Sequence, residues 1–350
     1  MSEFDCIVIG AGLAGLAAAR DLQSAGVATL VLEGSDRPGG RVKSDLIDGY
    51  RLDHGFQVFN SGYPHIKNTG LLKELGFTPF VKGLIPFRVV GKIASPSDLI
   101  TPFLRGVFLT NPSQVDHKVR REIYRSFLHG RAGLLRAGAG SFTDALAAPI
   151  SDIHYGETAH RIDGQSVTTD YATYSARHIV VATDPVTATQ LLPEIEVVRM
   201  NSSTTWYHIS DEPIPNGSRF AVNLHGALIN SVAISDIQPS YAPAGKQLFS
   251  STSLNIVSES EIRRDLSNIW GRDTTRWELI GRYEIRQSLP VHPQGKPLYS
   301  AVQLEEGLFV IGDHRAYPSQ QGAMESGKRA ARKIIEREVR ERSLNVGNQR

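Results

Sequence analysis

Asp5-Cys6-Ile7-Val8-Ile9-Gly10-Ala11-Gly12-Leu13-Ala14-Gly15 opens the stretch whose reading decides the fold, and that stretch runs on to Arg41. Cys6 to Ile9 is a short apolar run of the kind that makes a buried parallel strand, and it ends directly on glycine. Leu16 to Gly26 reads as a helix. Ala28 to Leu32 reads as a second strand that delivers an acid, Glu33, about twenty positions after the first glycine. The order strand, glycine turn, helix, strand, acid is that of a dinucleotide-binding βαβ unit. Gly10 permits the tight turn, Gly12 lets the backbone approach a pyrophosphate, and Gly15 lets the helix pack close to the sheet. The N–H groups at the helix start, around Leu13 and Ala14, together with the positive end of its dipole, then hold phosphates. Glu33 can accept both hydroxyls of an adenosine ribose. It also argues against a 2′-phosphate, so NADP is disfavoured.

The residues after the acid separate FAD from NAD. Gly34 follows Glu33, and Asp36-Arg37-Pro38-Gly39-Gly40-Arg41 then places two glycines and two arginines in one turn. That combination suits a second backbone approach to the same extended pyrophosphate, with Arg41 as a charge-assisted partner. The competing reading is a surface turn with solvated arginines. Gly10 to Gly15, Glu33 and Gly39-Gly40-Arg41 resemble the N-terminal signature of the flavin amine oxidase and phytoene desaturase superfamily. The resemblance implies an α/β fold of glutathione-reductase type, in which a Rossmann-type FAD-binding domain carries an inserted α+β substrate domain of mixed sheet plus helices. It also implies FAD bound noncovalently and extended, its adenine ribose at Glu33 and its pyrophosphate at the glycine turn.

Composition narrows the class. The chain has 350 residues, 41% hydrophobic and 21% charged, which is long enough for two domains of an ordinary globular protein. A formal net charge of +2 does not point to nucleic acid. The single cysteine, Cys6, excludes an internal disulfide and a multi-thiolate metal site, and its place in a strand reads as a small buried hydrophobe. No metal is expected. No apolar run reaches the ~18 residues of a spanning helix. A cytoplasmic protein is expected, with peripheral membrane contact left open.

Farther along, Val42 to Ile47 and Tyr50 to Asp53 flank Asp48-Gly49, a hairpin turn pair. His54-Gly55-Phe56-Gln57 follows, and the resemblance implies a segment that passes beside the flavin ring, with His54 a weak catalytic candidate against an even chance of a structural role. Tyr63 to Leu75 reads as an amphipathic helix ended by Gly76. Residues 80 to 109 form the least polar stretch, including Phe80, Val81, Leu84, Ile85, Phe87, Leu99, Phe103, Leu104 and Phe108. Core is its simplest reading, and an apolar wall for a lipophilic substrate is the functional one. Larger relatives carry a helical insertion between segments like Ser95-Pro96 and Thr101-Pro102-Phe103, so a shortened cap is expected. Val115 to His129 and Glu259 to Trp270 read as amphipathic helices. Phe142 to Ala148 reads as a short helix capped by Ser141 or Thr143. Strands are expected at Ile153 to Tyr155, His178 to Thr183, near 203–210, 218–224 and 228–234, and at Gly307 to Ile311.

The last strand ends in Gly312-Asp313, followed by a helix whose start is Gln320-Gln321-Gly322-Ala323. This resembles the closing motif of the superfamily. It implies Asp313 at a ribitol hydroxyl or phosphate and the helix start at the pyrimidine side of the flavin, where a helix dipole stabilises negative charge by roughly 0.3–2 kcal/mol. Expected boundaries are 1–62, 141–195 and 295–350 for the FAD domain, and 63–140 with 196–294 for the substrate domain. No acid–base pair stands out. The expected function is FAD-dependent hydride abstraction from a small, apolar organic substrate to flavin N5, as in desaturases. The rivals are amine oxidation, a non-redox flavin isomerase, and a binding protein of the GDI type. Relatives that oxidise amines carry a lysine on the strand that re-enters the substrate domain, and Ser202 to Ile209 has none.

Overall fold

The computed structural model describes residues 4–80, 88–92, 95, 100–210, 220–255 and 257–347, and it divides into two compact units. The first comprises Met1–Val42, Thr143–Arg199 and Pro297–Arg350, and the second Lys43–Phe142 and Met200–Lys296. Residues 43–62, expected beside the flavin fold, group with the second unit, because their hairpin pairs and packs there.

In the first unit, β1 (Phe4–Ile9) is followed by α1 (Leu13–Ser24) and β2 (Thr29–Glu33). Ile7 aligns with Leu30 in a parallel pair, and β1 also pairs in parallel with Thr173–Val181. Leu308–Val310 adds to the outer side of that strand, and Ile153–Tyr155 to β2, giving five parallel strands in a row. Such strands are covered on both faces, which is why Cys6, Ile7 and Val8 all have zero exposure and the run is continuous rather than alternating. The hairpin Ala159–Asp163 and Ser166–Thr169 extends the sheet in antiparallel fashion. The long helix Gln320–Gly347 crosses α1 closely: a Cβ on Gly327 would lie 2.2 Å from the carbonyl oxygen of Ala14. Lys328 holds Asp21 across the same contact at 2.9 Å.

The second unit is built on a six-stranded sheet, in the order Glu278–Pro290, Met200–Ser210, Gln247–Ser253, Leu228–Ala233, Phe220–Asn223 and Arg88–Val90. Three of these, the three-residue Arg88–Val90 and the longer Gln247–Ser253 and Glu278–Pro290, are absent from the strands expected above. Gln247–Ser253 is rich in serine, and Glu278–Pro290 alternates charged residues outward along an edge, so neither shows a strong apolar signal. One face packs Trp206, Phe249 and Trp277 under the helix Glu259–Trp270. That helix starts with a capping box of Ser258 and Glu261, which satisfies two of its orphan donors. His208 lies on this face with no exposure, and burial pushes its pKa down to about 3, so the ring is neutral. The other face packs Tyr207, Val232, Leu248, Phe220 and Tyr241.

Local departures from expectation have physical causes. The helix expected over Tyr63 to Leu75 is two short ones, Pro64–Asn68 and Leu71–Glu74, because Gly70 adopts φ +76 between them. Neither Ser141 nor Thr143 stands ahead of the helix expected from Phe142, which begins earlier and spans Gly140–Ala147. Ser141 instead bonds the carbonyl of Gly138, and Thr143 that of Val42. The hairpin is as read: β3 (Ser44–Ile47) and β4 (Tyr50–Asp53) join through Asp48 and Gly49, both with positive φ. Of the apolar stretch 80–109, Leu104 and Phe108 are core residues on the helix Thr101–Phe108. Val81, Leu84, Ile85, Phe87, Pro96 and Leu99 lie outside the described residues.

Candidate functional site

Three glycines after β1 do three different things. Gly10 turns at φ +106, where a Cβ would stand 3.0 Å from the carbonyl oxygen of Ala182. A Cβ on Gly15 would fall 2.0 Å from the carbonyl oxygen of Gly10, so only glycine lets α1 begin this close to the turn. Gly12 is extended, with φ −77 and ψ 179, and a Cβ there would meet nothing within 4 Å. The space before it is open. No side chain caps α1, and no acid sits in the first turn at Leu13 and Ala14, so its N–H groups and dipole are available to an anion.

Glu33 is held at the mouth of this turn. One carboxylate oxygen accepts the N–H of Ala11 at 2.7 Å, and the other accepts the N–H and hydroxyl of Ser35 at 3.0 and 2.6 Å. Gly34 follows against Thr158, whose hydroxyl would stand 3.0 Å from an added Cβ. The Ser35 hydroxyl also lies 2.8 Å from the carbonyl oxygen of Arg37. The second glycine pair then returns to the first. Gly39 donates its N–H to the carbonyl of Ala11 at 2.8 Å, Gly39 and Gly12 form a parallel bridge, and a Cβ on Gly40 would sit 3.5 Å from Gly12 Cα.

From that pair, Arg41 reaches the other end of the chain. Its guanidinium donates to both oxygens of Asp313, at 3.0 and 2.6 Å. Asp313 is 3% exposed, and Gly312 before it has φ +144. The helix start at Gln320 is equally constrained. A Cβ on Gly322 would lie 1.9 Å from the carbonyl oxygen of Tyr317, Gln321 is buried, and Ala323 bonds Ser319. The side-chain oxygen of Gln320 is buried with no partner among the described residues, an acceptor that a bound group could satisfy. Arg41→Ala should leave the Asp313 carboxylate without its cation and cost on the order of 3 kcal/mol. Urea denaturation measures this, and Asp313→Asn, which keeps an acceptor for Arg41, should cost less.

His54, Gly55, Phe56 and Gln57 belong to the second unit. His54 Nε2 lies 2.7 Å from Asp45 Oδ2, and the Tyr283 hydroxyl donates to that same oxygen at 2.8 Å. The His54 and Tyr283 rings are 4.8 Å apart. Gly55 adopts φ +89, Gln57 bonds the carbonyl of His54, and Phe56 packs against Phe80 and Phe220. The structure thus brings together a histidine and a carboxylate that do not stand out as a pair in the sequence. Asp45 precedes His54 across a hairpin, and Tyr283 arrives from a strand more than 200 residues later, at a sequence separation of 238. The hairpin pair Asp48-Gly49 is the one local signal that could have brought Asp45 forward.

The family model for flavin containing amine oxidoreductases matches residues 13–91 and 88–335. The chain belongs to that family. Members of that family are FAD proteins, so FAD is its cofactor, and the open Gly12 turn, the fixed Glu33 and the orphaned Gln320 oxygen fit such a group. A curated relative, lysine-specific histone demethylase 1 homolog 1 of Arabidopsis thaliana, is 65% identical over 43 residues, which are 12% of this chain and 5% of that protein. Putrescine oxidase of Kocuria rosea is 42% identical over 78 residues, 22% of this chain and 16% of that protein. The matches therefore span a small part of these relatives. Among solved structures, cyclohexylamine oxidase from Brevibacterium oxydans aligns at a TM-score of 0.71 and 16% identity, over 95% of this chain and 99% of that one. This likeness establishes the fold. No helix among the described residues is long and apolar enough to cross a membrane.

Proposed function

We propose that this family member is an FAD-dependent oxidoreductase acting on a C–H bond of a small organic substrate. Bound FAD supplies the hydride-accepting N5. The observation that carries the reading is the Arg41–Asp313 pair, which ties the N-terminal glycine turns to the segment before the C-terminal helix, together with the Gly12 turn, where an added Cβ would meet no atom within 4 Å. Gly10, Gly12, Gly15, Gly39 and Gly40 would give the backbone access to the pyrophosphate. Glu33 would take the adenosine ribose, and Asp313 a ribitol hydroxyl. The helix start at Gln320, Gln321, Gly322 and Ala323 would stabilise negative charge on the pyrimidine side. Gly34 and Arg37 complete the adenosine-side turn.

In the second unit, His54 is the residue suited to moving a proton. With Asp45 on Nε2, the neutral tautomer protonated there leaves Nδ1 as the acceptor. An apolar substrate body is supported by the composition of residues 80–109. Amine oxidation is the second reading, favoured by the family match. It lacks a lysine on the strand Met200–Ser210. The noncovalent cofactor and a substrate domain with a shortened cap belong to the same proposal.

Purified protein should be yellow, should release FAD on denaturation, and should lose its flavin absorbance anaerobically with a substrate. Bleaching by amines alone would promote the second reading. Colourless protein that cannot be loaded with FAD would overturn both.

A further inference from the structure

An unpaired sheet edge offers its backbone to any neighbouring chain, so proteins cover such edges or guard them with charged side chains. Two edge strands here neutralise their own charges. Arg161 pairs with Asp163 on Ala159–Asp163, and Arg282 and Arg286 both reach Glu284 on Glu278–Pro290. Gln303–Glu305 is different. Among the described strands it pairs only with Leu308–Val310, so its other side carries no strand. Along this segment runs a cavity of about 670 Å³, lined by residues 301–306 and by Arg329, Lys333 and Arg337 of the helix Gln320–Gly347.

The three cations recur every four residues, which sets them on one face of the helix. The outer two are struts. Arg329 donates to the carbonyl of Ser300 at 3.1 Å, and Arg337 pairs with Glu306. They fasten the helix to both ends of the segment and leave the space between them open. Lys333 stands midway, and its ammonium has no partner among the described residues. The carboxylate of Glu305 has none either. Both residues are exposed and line the same cavity, yet they do not meet. Apolar groups flank them. The register steps from Gln303–Phe309 to Glu305–Leu308, a bulge that leaves Leu304 unopposed and 37% exposed. Leu344, seven positions after Arg337 on the same helix face, is 68% exposed.

Such a groove suits an extended segment whose unmet carboxylate can face Lys333. One of its own walls is such a segment. We propose that the groove is a two-fold interface between copies of this chain, in which Gln303–Glu305 of each copy lies along the groove of the other and Glu305 meets the partner's Lys333. A two-fold axis makes every contact twice, so a surface with one unmet cation and one unmet anion is complementary to itself. Leu304 and Leu344 leave water in the same contact. The proposal does not rest on the oxidoreductase reading, because no residue of the cofactor turns takes part in it. Its rival is an edge guarded by solvated charges.

Sedimentation velocity of the full-length protein at micromolar concentrations separates the two. Wild type should be a dimer. Lys333→Glu and Glu305→Lys should each weaken it at least about tenfold, because two attractive pairs become two repulsive ones. Both positions are exposed, so the circular dichroism of each variant should match wild type. Two rescues then identify the surface. Mixing the two single variants brings a copy with two carboxylates against a copy with two ammonium groups, and a heterodimer should form. The double variant Lys333→Glu/Glu305→Lys should recover the homodimer. Backbone hydrogen exchange at residues 303–306 should slow on association. A monomeric wild type establishes the guarded edge and overturns the proposal. So does a dimer that neither substitution weakens, or one that neither rescue restores.

Discussion

Gly12→Ala should fold like the wild type and lose flavin, whereas Gly15→Ala should lose both. At position 12 the backbone is in a region any residue adopts, and an added methyl meets no atom within 4 Å. Its apo melting temperature should stay within the ordinary range of surface substitutions, about ±0.5 kcal/mol in stability. The same methyl projects into the opening where the pyrophosphate is proposed to lie, so FAD affinity should fall by a factor on the order of 100, equivalent to about 3 kcal/mol of lost close approach. At position 15 the methyl would stand 2.0 Å from the carbonyl oxygen of Gly10, a backbone atom that cannot rotate away. Relief requires α1 to move off β1, and overpacking of this kind costs about 1–3 kcal/mol or more. Denaturation of the apoproteins and FAD titration read the two effects apart. If Gly12→Ala keeps its FAD, the phosphate site is elsewhere.

Asp53→Ala should bring the second unit close to unfolding, while Asp53→Asn should be tolerated. Asp53 has no exposure, and its carboxylate accepts the Ser44 hydroxyl at 2.5 Å, the Ala139 N–H at 2.9 Å and the Tyr241 hydroxyl at 2.8 Å. Alanine would orphan three buried donors at about 1–3 kcal/mol each, a large share of the 5–15 kcal/mol of a typical domain. Asparagine keeps one oxygen for Ser44 and Ala139 and turns an N–H₂ toward the Tyr241 oxygen, so its cost should be about 1 kcal/mol. Burial raises the Asp53 pKa despite these hydrogen bonds. The folded state therefore keeps its proton to higher pH than the unfolded one, and stability falls as pH rises from 3.8 through the folded value. Asparagine should remove that slope. Urea midpoints across the acid range would show it, and equal slopes for the two proteins would contradict the assignment.

These two sites differ in how far the sequence discloses them. The glycines at 10, 12 and 15 and the acid at 33 are legible because a strand, a tight turn and a helix are encoded within one βαβ unit, where neighbours in sequence are neighbours in space. The acceptor role of Asp53 is not, because its donors come from Ser44, Ala139 and Tyr241, the last 188 residues away. Gly39-Gly40-Arg41 sits between these cases. Its glycines announce a close backbone approach, but the partner of Arg41 is 272 residues distant.

The chain's local chemistry by itself determined the parallel βαβ core, the hairpin at Asp48-Gly49, the start of the last helix and the kind of cofactor, since each follows from periodicity, turn residues and a nearby acid. Only the tertiary structure decided that Arg41 meets Asp313, that His54 has Asp45 and Tyr283 behind it, and that Asp53 collects Ser44, Ala139 and Tyr241. Those facts depend on strand register and on which distant segments pack together. A one-residue slip would turn every side chain of a strand to the opposite face, and no short window of sequence carries that information.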